Sequence, residues 1–244
     1  MNGIIAVYLR EILILNRRLK RQISSMAVSP LLYMIAFGYA MGGEINYNGY
    51  TYLEFLIPGL AAMASMTQGF GIATDINVAR FYWFIFEEFQ AAPISNFSYV
   101  AGEVLAGMTR ALLGVLVIIV LGIPFGIFLH YSPLFWLAMI LNSFVFASLA
   151  VALAMLVKSH ADQSLLSNFV ITPMAFLGGT FFPLEKMPEW VQHILYFLPL
   201  THASNAMRAV ALGKTPDLLS YLVLPVIGIV FFIFALLSVN QARD

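Results

Sequence analysis

Few residues of this chain stand at spacings that suggest chemistry, and each such motif lacks a part that it needs. Gly213, Lys214 and Thr215 look like the end of a phosphate-binding loop, but that loop needs a glycine at the position of Arg208. The four histidines show no metal-binding spacing, no serine lies in a nucleophile motif, and cysteine is absent. The sequence therefore predicts no active site, no metal and no cofactor on this chain.

Two charges stand inside a long apolar stretch, where a charge is costly unless it has a partner. Glu103 and Arg110 are seven residues apart, so they share a helical face at a separation of about 10 Å and do not pair directly. We expect Glu103 near the cytoplasmic headgroups, with Arg110 reaching toward it or binding a neighbouring helix. A structural role is favoured over a proton relay, because a relay needs a chain of ionisable partners.

The elements that hold these residues are predicted to be membrane helices. The chain is 61% hydrophobic and 10% charged, with a mean hydropathy of +0.89, whereas a soluble domain has about 25% charged residues. Residues 111–157 contain no Asp, Glu, Lys or Arg, and a bilayer span needs about 20 residues, so two spans fit there. We predict an all-α, polytopic membrane protein with one transmembrane domain over residues 1–244 and six spans, Gln22–Gly42, Leu53–Thr74, Val100–Ile123, Pro133–Val157, Gln163–Phe181 and Leu218–Asn240.

The distribution of basic residues orients these spans. Five Lys and Arg residues precede the first span, between positions 10 and 21, and Arg80, Lys158 and Arg243 mark the second loop, the fourth loop and the C-terminus. The first and third loops have none, and the fifth has Lys186, Arg208 and Lys214. Since basic residues favour the cytoplasmic side, both termini are predicted to be cytoplasmic, as an even number of spans requires.

The first 21 residues mix apolar and charged side chains with a helical rhythm and end in a basic cluster. This pattern is typical of a helix that lies in the cytoplasmic interface and leads into the first span. A solvated leader is the alternative interpretation.

The cytoplasmic segment, residues 75–98, is rich in aromatic and acidic residues. Its spacing predicts a short amphipathic helix that ends at Pro93, followed by a helix that Ser95 or Asn96 caps. The predicted apolar face of the short helix consists of Phe81, Phe84, Ile85 and Phe89.

Two interpretations of this short helix are equally supported by the residues themselves. It can rest on the lipid headgroups, or it can be a contact for another protein. The adjacent acids Glu87 and Glu88 favour a protein, because anionic lipid would repel them.

The outer hairpin, residues 178–213, is predicted to contain two helices, Pro188–Leu198 and His202–Leu212, with Gly213 ending the second. Each has about 11 residues and a length of about 16 Å, so neither crosses a bilayer and the pair must enter the outer side and return. It can act as a lid over an outward-facing cavity, or it can be an inert interfacial hairpin. The residues expected to build it are Pro188 at the first helix start, Trp190 as an interface anchor, Pro199 between the helices, Thr201 as a cap and Arg208 at the second C-terminal end.

Aromatic, Met and polar side chains on the spans offer a soft surface that can repack around varied amphiphiles. The same residues can equally serve as ordinary packing, an aromatic belt or hydrogen bonds between helices. The candidate path residues are Tyr33, Phe37, Met66, Thr67, Gln68, Asn168 and Thr172.

Several motifs, in the same order along most of the chain, resemble those of type-2 ABC exporter permeases. The resemblance is to the branch that exports drugs and lipo-oligosaccharides. The segments that carry it are Tyr52–Gly59, Glu87–Ser95, Tyr99–Gly102, Leu177–Pro183, Met187–Trp190 and Leu198–Arg208.

The resemblance implies a permease domain in the inner (plasma) membrane, paired with a second copy as a homodimer and with separate cytoplasmic ATPase subunits that bind ATP and Mg²⁺. A hydrophobic or amphipathic solute, such as a drug, a lipid or a lipid-linked glycan, would cross between the copies. Membrane lipid is a further partner, and nucleic acid is not expected. Glu103 departs from the family pattern, in which many relatives carry Lys. The residues implied to couple the permease to the ATPase are Arg80, Phe84, Glu87, Glu88, Phe89 and Pro93.

Two other classes of protein compete with this interpretation. An ion-coupled secondary transporter needs carboxylates or histidines near the midplane together with broken helices. Pro58 and Pro173 can break two spans, but neither has an acidic neighbour at depth. An intramembrane enzyme needs a nucleophile or a metal set that the sequence does not offer.

Overall fold

A computed structural model describes residues 3–41 and 49–241, apart from the side chains of residues 39–41, 87 and 90. The described residues form helices and no strand, which confirms the all-α fold class. The helices are α1 (Gly3–Arg17), α2 (Leu19–Met41), α3 (Tyr52–Phe70), α4 (Ile72–Phe81), α5 (Ile85–Ala91), α6 (Asn96–Gly122), α7 (Pro133–Leu156), α8 (His160–Leu166), α9 (Thr172–Leu177), α10 (Glu189–Tyr196), α11 (Pro199–Ala211) and α12 (Leu218–Gln241), with short 3-10 turns at Ile123–Phe125 and Leu184–Lys186 and a π-helical turn at Ser167–Ile171.

Four helical runs in the described ranges are long and apolar enough to cross a membrane. Each matches one predicted span: Tyr52–Phe81, which joins α3 and α4, then Asn96–Phe125, Pro133–Leu156 and Leu218–Gln241. The first predicted span falls on α2 and the fifth on residues 160–177, and neither is among the four. The six-span count therefore stays a prediction.

The segment predicted as the fifth span is not one regular helix. Between α8 and α9 the chain makes a wide π-helical turn, and the Thr172 hydroxyl donates to the Ser167 carbonyl at 3.2 Å. Pro173 follows directly, and a proline inside a helix has no N–H and pushes against the preceding turn. A π-turn widens the helix at that point and is often found at functional sites.

Small residues let the central helices α3, α6 and α7 touch. A Cβ atom at Gly107 of α6 would lie 2.9 Å from the Cβ of Ala147 on α7 and 3.0 Å from the carbonyl oxygen of Gly69 on α3. Only glycine fits at such a distance, and close backbone approach is how helices in lipid gain packing energy. The core of the protein lies around this contact.

The helix predicted at the N-terminus is observed as α1, and it packs against protein. A Cβ at Gly102 of α6 would lie 2.7 Å from the Cβ of Val7, which is completely buried. Since one face of α1 is covered by α6, this helix is not a solvated leader. Its place at the membrane interface stays a prediction.

The predicted continuous apolar face in the cytoplasmic segment is wrong. Helix α4 ends at Phe81, and Phe84 has a left-handed backbone with φ 54° before α5 begins at Ile85. This break turns the chain so that Phe86 is buried against the ring of Tyr99, with centroids 5.6 Å apart.

The end of this segment follows the prediction. Helix α5 stops at Ala91, because the residue before Pro93 adopts an extended backbone (φ −77°, ψ 152°). Ser95 caps α6, since its hydroxyl oxygen accepts from the backbone N–H of Ser98 at 3.2 Å.

The predicted boundaries of the outer hairpin need one correction. Helix α11 begins at Pro199 rather than His202, because proline sets the φ of a first helical turn. Thr201 therefore lies inside that turn, makes no cap and leaves its buried Oγ1 without a hydrogen-bond partner. Gly213 ends the helix as predicted, with φ +70°.

Candidate functional site

A cavity of about 270 Å³, which we call the membrane cavity, lies between α2, α3, α6 and α9. Four predicted path residues line it, from three different helices: Tyr33, Thr67, Gln68 and Thr172. Residues far apart in the chain thus meet at one place inside the membrane domain.

The other predicted path residues lie elsewhere. Phe37 stands beside the cavity, with its ring centroid 6.4 Å from that of Tyr33 and 5.4 Å from that of Phe181. Met66 is completely buried in the core, so the packing alternative is correct for it. Asn168 is exposed on the π-helical turn, outside the cavity.

Sequence reasoning missed several residues of this cavity. Ser25, Ser29 and Met26 of α2 and Phe176 of α9 line it as well. A helical plot of α2 would have shown the first three on the Tyr33 face, since they stand at spacings of three to four residues. Phe176 gave no local signal, because its position depends on the break in the fifth segment.

The cavity has a polar but uncharged character. Its lining offers hydroxyl groups, the Gln68 amide, methionines and aromatic rings, and no lining side chain is charged. Gly114 of α6 makes room for Gln68, since a Cβ there would lie 2.8 Å from Gln68 Cγ. Such a surface can hold an amphipathic molecule by dispersion contacts and a few hydrogen bonds.

The cytoplasmic segment exposes three successive aromatic residues at the break before α5. Tyr82 is 64% exposed, Trp83 46% and Phe84 62%, and Glu88 on α5 is also exposed. The side chain of Glu87, the other predicted acid, lies outside the described part of the structure. Large exposed aromatics next to a charge are typical of surfaces that bind a protein.

Two of the predicted coupling residues hold this segment to the membrane helices. The Arg80 guanidinium donates to the Ala154 carbonyl of α7 and lies 5.4 Å from the centre of the Phe86 ring. The Phe89 ring packs against Tyr99 with centroids 5.3 Å apart. Pro93 is exposed just after α5. Phe84 and Glu88 therefore face outward, whereas Arg80 and Phe89 position them.

Arg208 joins the outer hairpin to the core, in a way that the sequence did not predict. Its Nη2 donates to the Gly179 carbonyl at 2.6 Å, its Nε donates to the Phe55 carbonyl at 3.2 Å, and its guanidinium lies 3.8 Å from the centre of the Phe55 ring. The sequence predicted a contact with the C-terminal end of α11, whereas these contacts are with α3 and with the turn before the outer hairpin. Arg208 is a clamp between α11 and α3.

A buried histidine joins the two helices of the outer hairpin. His202 of α11 shares a hydrogen bond of 2.8 Å with the Tyr196 carbonyl, and the two rings lie 4.8 Å apart. Pro188, directly before α10, and Trp190, on α10, are exposed. The hairpin is thus one packed unit with an exposed aromatic on its first helix.

The intramembrane arginine has a partner on a neighbouring helix. Arg110 of α6 forms an ion pair with Asp75 of α4, which confirms the second of the two predicted arrangements. Glu103 is buried inside the same helix, with 2% of its surface exposed.

Known proteins are similar to this chain in sequence. A family model described as ABC-2 type transporter matches residues 3–212. The chain belongs to this family. It is therefore the membrane subunit of an ABC transporter. The permease subunits of this family carry no ATPase domain of their own.

Three of its relatives each match most of the chain. The inner membrane transport permease YadH of Escherichia coli is 29% identical over 223 residues, which are 88% of this chain and 86% of the relative. Nodulation protein J of Rhizobium meliloti is 30% identical, over 86% of this chain and 81% of the relative. The daunorubicin resistance ABC transporter permease protein DrrB1 of Streptomyces coeruleorubidus is 26% identical, over 91% and 80%.

Proposed function

We propose that this permease subunit forms the path for a hydrophobic or amphipathic solute and is driven by separate cytoplasmic ATPase subunits. The observation that carries the proposal is one helical run. Residues 52–81 contain the cavity residues Thr67 and Gln68 at their middle and lead directly into the exposed aromatics 82–84. A run of 30 residues is about 45 Å long, enough to connect the membrane interior with the cytoplasmic surface.

The energy source is a partner protein that binds ATP and Mg²⁺. Membership of the family implies association with an ABC ATPase subunit, and the Gly213–Thr215 triplet lacks the glycine of a phosphate-binding loop. We place the contact at the exposed part of the cytoplasmic segment, with Phe84 entering a groove and Glu88, together with Glu87, facing basic residues of the ATPase. Closure of the ATPase pair would shift the dimer between inward- and outward-facing states.

The membrane arrangement that fits this function has six spans. Helix α2 and the broken segment 160–177 supply the two that complete the four apolar helices, so both termini lie in the cytoplasm. The protein is placed in the inner (plasma) membrane, where its Escherichia coli relative is named as a permease. Two copies form a homodimer surrounded by lipid, and the outer hairpin forms the lid on the far side.

The solute is proposed to be a drug, a lipid or a lipid-linked glycan without a strong charge. The uncharged lining of the membrane cavity supports this class, because a charged ligand buried there would have no counter-charge. The relative DrrB1, whose name gives it a role in daunorubicin resistance, supports a drug as one of these candidates.

The coupling contact is tested by reversing one charge. In the reconstituted complex, Glu88→Lys is expected to lower ATPase stimulation by the permease about tenfold, because the new positive charge would face basic residues of the ATPase. Glu189→Lys, an exposed acid on α10 in the outer hairpin, is the matched control and keeps wild-type stimulation. Equal stimulation by wild type and Glu88→Lys would contradict the contact.

A further inference from the structure

Four basic side chains stand together where α1 ends and α2 begins. Arg17, Arg18, Lys20 and Arg21 are all exposed, and we call them the basic collar. Residues 12–43 contain no Asp or Glu, so no acid stands near the collar in the sequence. None of the four forms an ion pair with a residue that the structure describes. The collar therefore presents a dense positive charge to its surroundings.

Two acids from other positions come near the collar, but each has its own cation. Glu11 and Asp75 line a cavity of about 50 Å³ together with Arg18. Glu11 is paired with Arg10, and Asp75 is paired with Arg110. The positive charge of the collar thus remains available to an anion from outside the chain.

Helix α1 leads to the collar with an exposed apolar stripe. Ile5, Leu9 and Leu13 are exposed and stand four residues apart, so they follow one another along one side of the helix. Val7 and Glu11 are buried. Since a helix turns by about 100° per residue, the stripe lies nearly opposite this buried side.

Contacts with α6 fix this orientation of α1. A Cβ at Gly102 would lie 2.7 Å from the Cβ of Val7, and the Tyr8 hydroxyl shares a hydrogen bond of 3.0 Å with the hydroxyl of Thr109. A rotation of α1 that buried its apolar stripe would break both contacts. The stripe is therefore held outward, on the same helix that ends in the collar.

A second exposed apolar stripe follows the collar on α2. Val28, Leu32 and Ile35 are exposed at spacings of four and three residues. The cations thus lie between two apolar surfaces. An anionic phospholipid matches both features in one molecule, since its phosphate group pairs with Lys and Arg and its acyl chains cover apolar side chains. The cytoplasmic leaflet, where we predict the collar to lie, is the leaflet that attracts basic segments next to a span.

We propose that the basic collar binds the headgroup of an anionic phospholipid of the cytoplasmic leaflet, with the stripe of α1 against its acyl chains. The lipid then anchors the α1–α2 junction from outside, while α6 holds α1 from inside. The binding weakens as the salt concentration rises, because the four cations are exposed. The site is independent of the solute and of the ATPase contact.

The first test is native mass spectrometry of the full chain, purified in detergent and titrated with a short-chain lipid at low ionic strength. Dioctanoyl phosphatidylglycerol and dioctanoyl phosphatidylcholine have the same acyl chains, but only the first has a net charge. We expect the anionic lipid to bind about a hundredfold more tightly. Lys20→Gln together with Arg21→Gln is expected to reduce this preference about 25-fold, since each cation contributes about a factor of five.

A matched pair of cations provides the control. Lys186→Gln together with Lys214→Gln removes two exposed charges in and directly after the outer hairpin, and this variant is expected to keep the wild-type preference. Equal affinity of the wild-type protein for the two lipids would overturn the proposal. An unchanged preference in the Lys20 and Arg21 variant would overturn it as well.

Two further measurements separate a lipid from other occupants. Leu13→Gln is expected to weaken the binding of both lipids about threefold, because it removes apolar contact and no charge. Inorganic phosphate at constant ionic strength is expected not to displace phosphatidylglycerol, because it has no acyl chains. Displacement by phosphate would show a simple anion site. Loss of a co-purifying ATPase in the Lys20 and Arg21 variant, with an unchanged lipid preference, would assign the collar to the ATPase, and either result would refute the lipid site.

Discussion

At the scale of single residues, Arg208 holds the outer hairpin to the core. This side chain is 8% exposed, and it satisfies backbone carbonyls of α3 and of the turn before the outer hairpin. Gly59 is part of the same arrangement, since a Cβ there would lie 2.7 Å from Arg208 Nη2 and 2.5 Å from the Thr180 carbonyl oxygen. One guanidinium thus fixes the position of the hairpin relative to the cavity helix.

Replacing this guanidinium is expected to loosen the outer hairpin. Arg208→Met keeps much of the side-chain volume but leaves buried carbonyls without donors, which costs about 3 kcal/mol. We expect the apparent Tm to fall by about 8 °C and proteolysis within residues 180–198 to become faster. Lys186→Met, an exposed residue of the same hairpin, is the control and leaves both unchanged. An unaltered Tm in Arg208→Met would exclude the clamp.

The contacts that charged side chains make with other helices were the hardest feature to predict from the sequence. Glu103 and Arg110 were recognised as unusual charges, but the partner of Arg110, Asp75, comes from another helix. Helical spacing relates a residue only to its own helix, so it placed Arg208 at its own helix end rather than against α3. Contacts of this kind depend on how the helices cross.

At the scale of helices, α3 separates the core from the membrane cavity. Its successive residues Met66 and Thr67 face opposite environments, since Met66 is completely buried and Thr67 lines the cavity. This orientation follows from the contact at Gly69, which turns one side of α3 toward α6 and α7. The helix then continues into α4 and the cytoplasmic segment.

Cysteine labelling tests this orientation directly, because the chain contains no cysteine of its own. A cysteine at Thr67 is expected to react with a small uncharged maleimide about ten times faster than one at Met66, since reactivity follows access. The two variants are adjacent in the chain and serve as controls for each other. Similar rates at both positions would show that α3 does not present Thr67 to an open cavity.

Hydropathy and charge predicted most of the helices but not their breaks. The four strongly apolar helices appeared where expected, because lipid requires long uninterrupted apolar runs. The break at Phe84 and the start of α11 at Pro199 were missed. Both are local backbone choices that tertiary packing, or a single proline, decides.

At the scale of the whole molecule, the chain belongs to a family of ABC transporter membrane subunits. One chain builds an uncharged cavity, a segment with exposed aromatics at residues 82–84 and a hairpin of two short helices. Family membership agrees with this arrangement. The order of the motifs let the sequence predict the class of protein, whereas the solute and the second copy depend on surfaces that one chain does not determine.

The most direct measurement is affinity purification of the tagged chain, expressed with its neighbouring genes and extracted in mild detergent, followed by mass spectrometry of the associated proteins. We predict that an ABC ATPase with its own phosphate-binding loop co-purifies, with about one ATPase for each permease chain. Glu88→Lys should reduce this recovery, while Glu189→Lys should not. Repeated recovery of the chain without any ATPase would contradict the account.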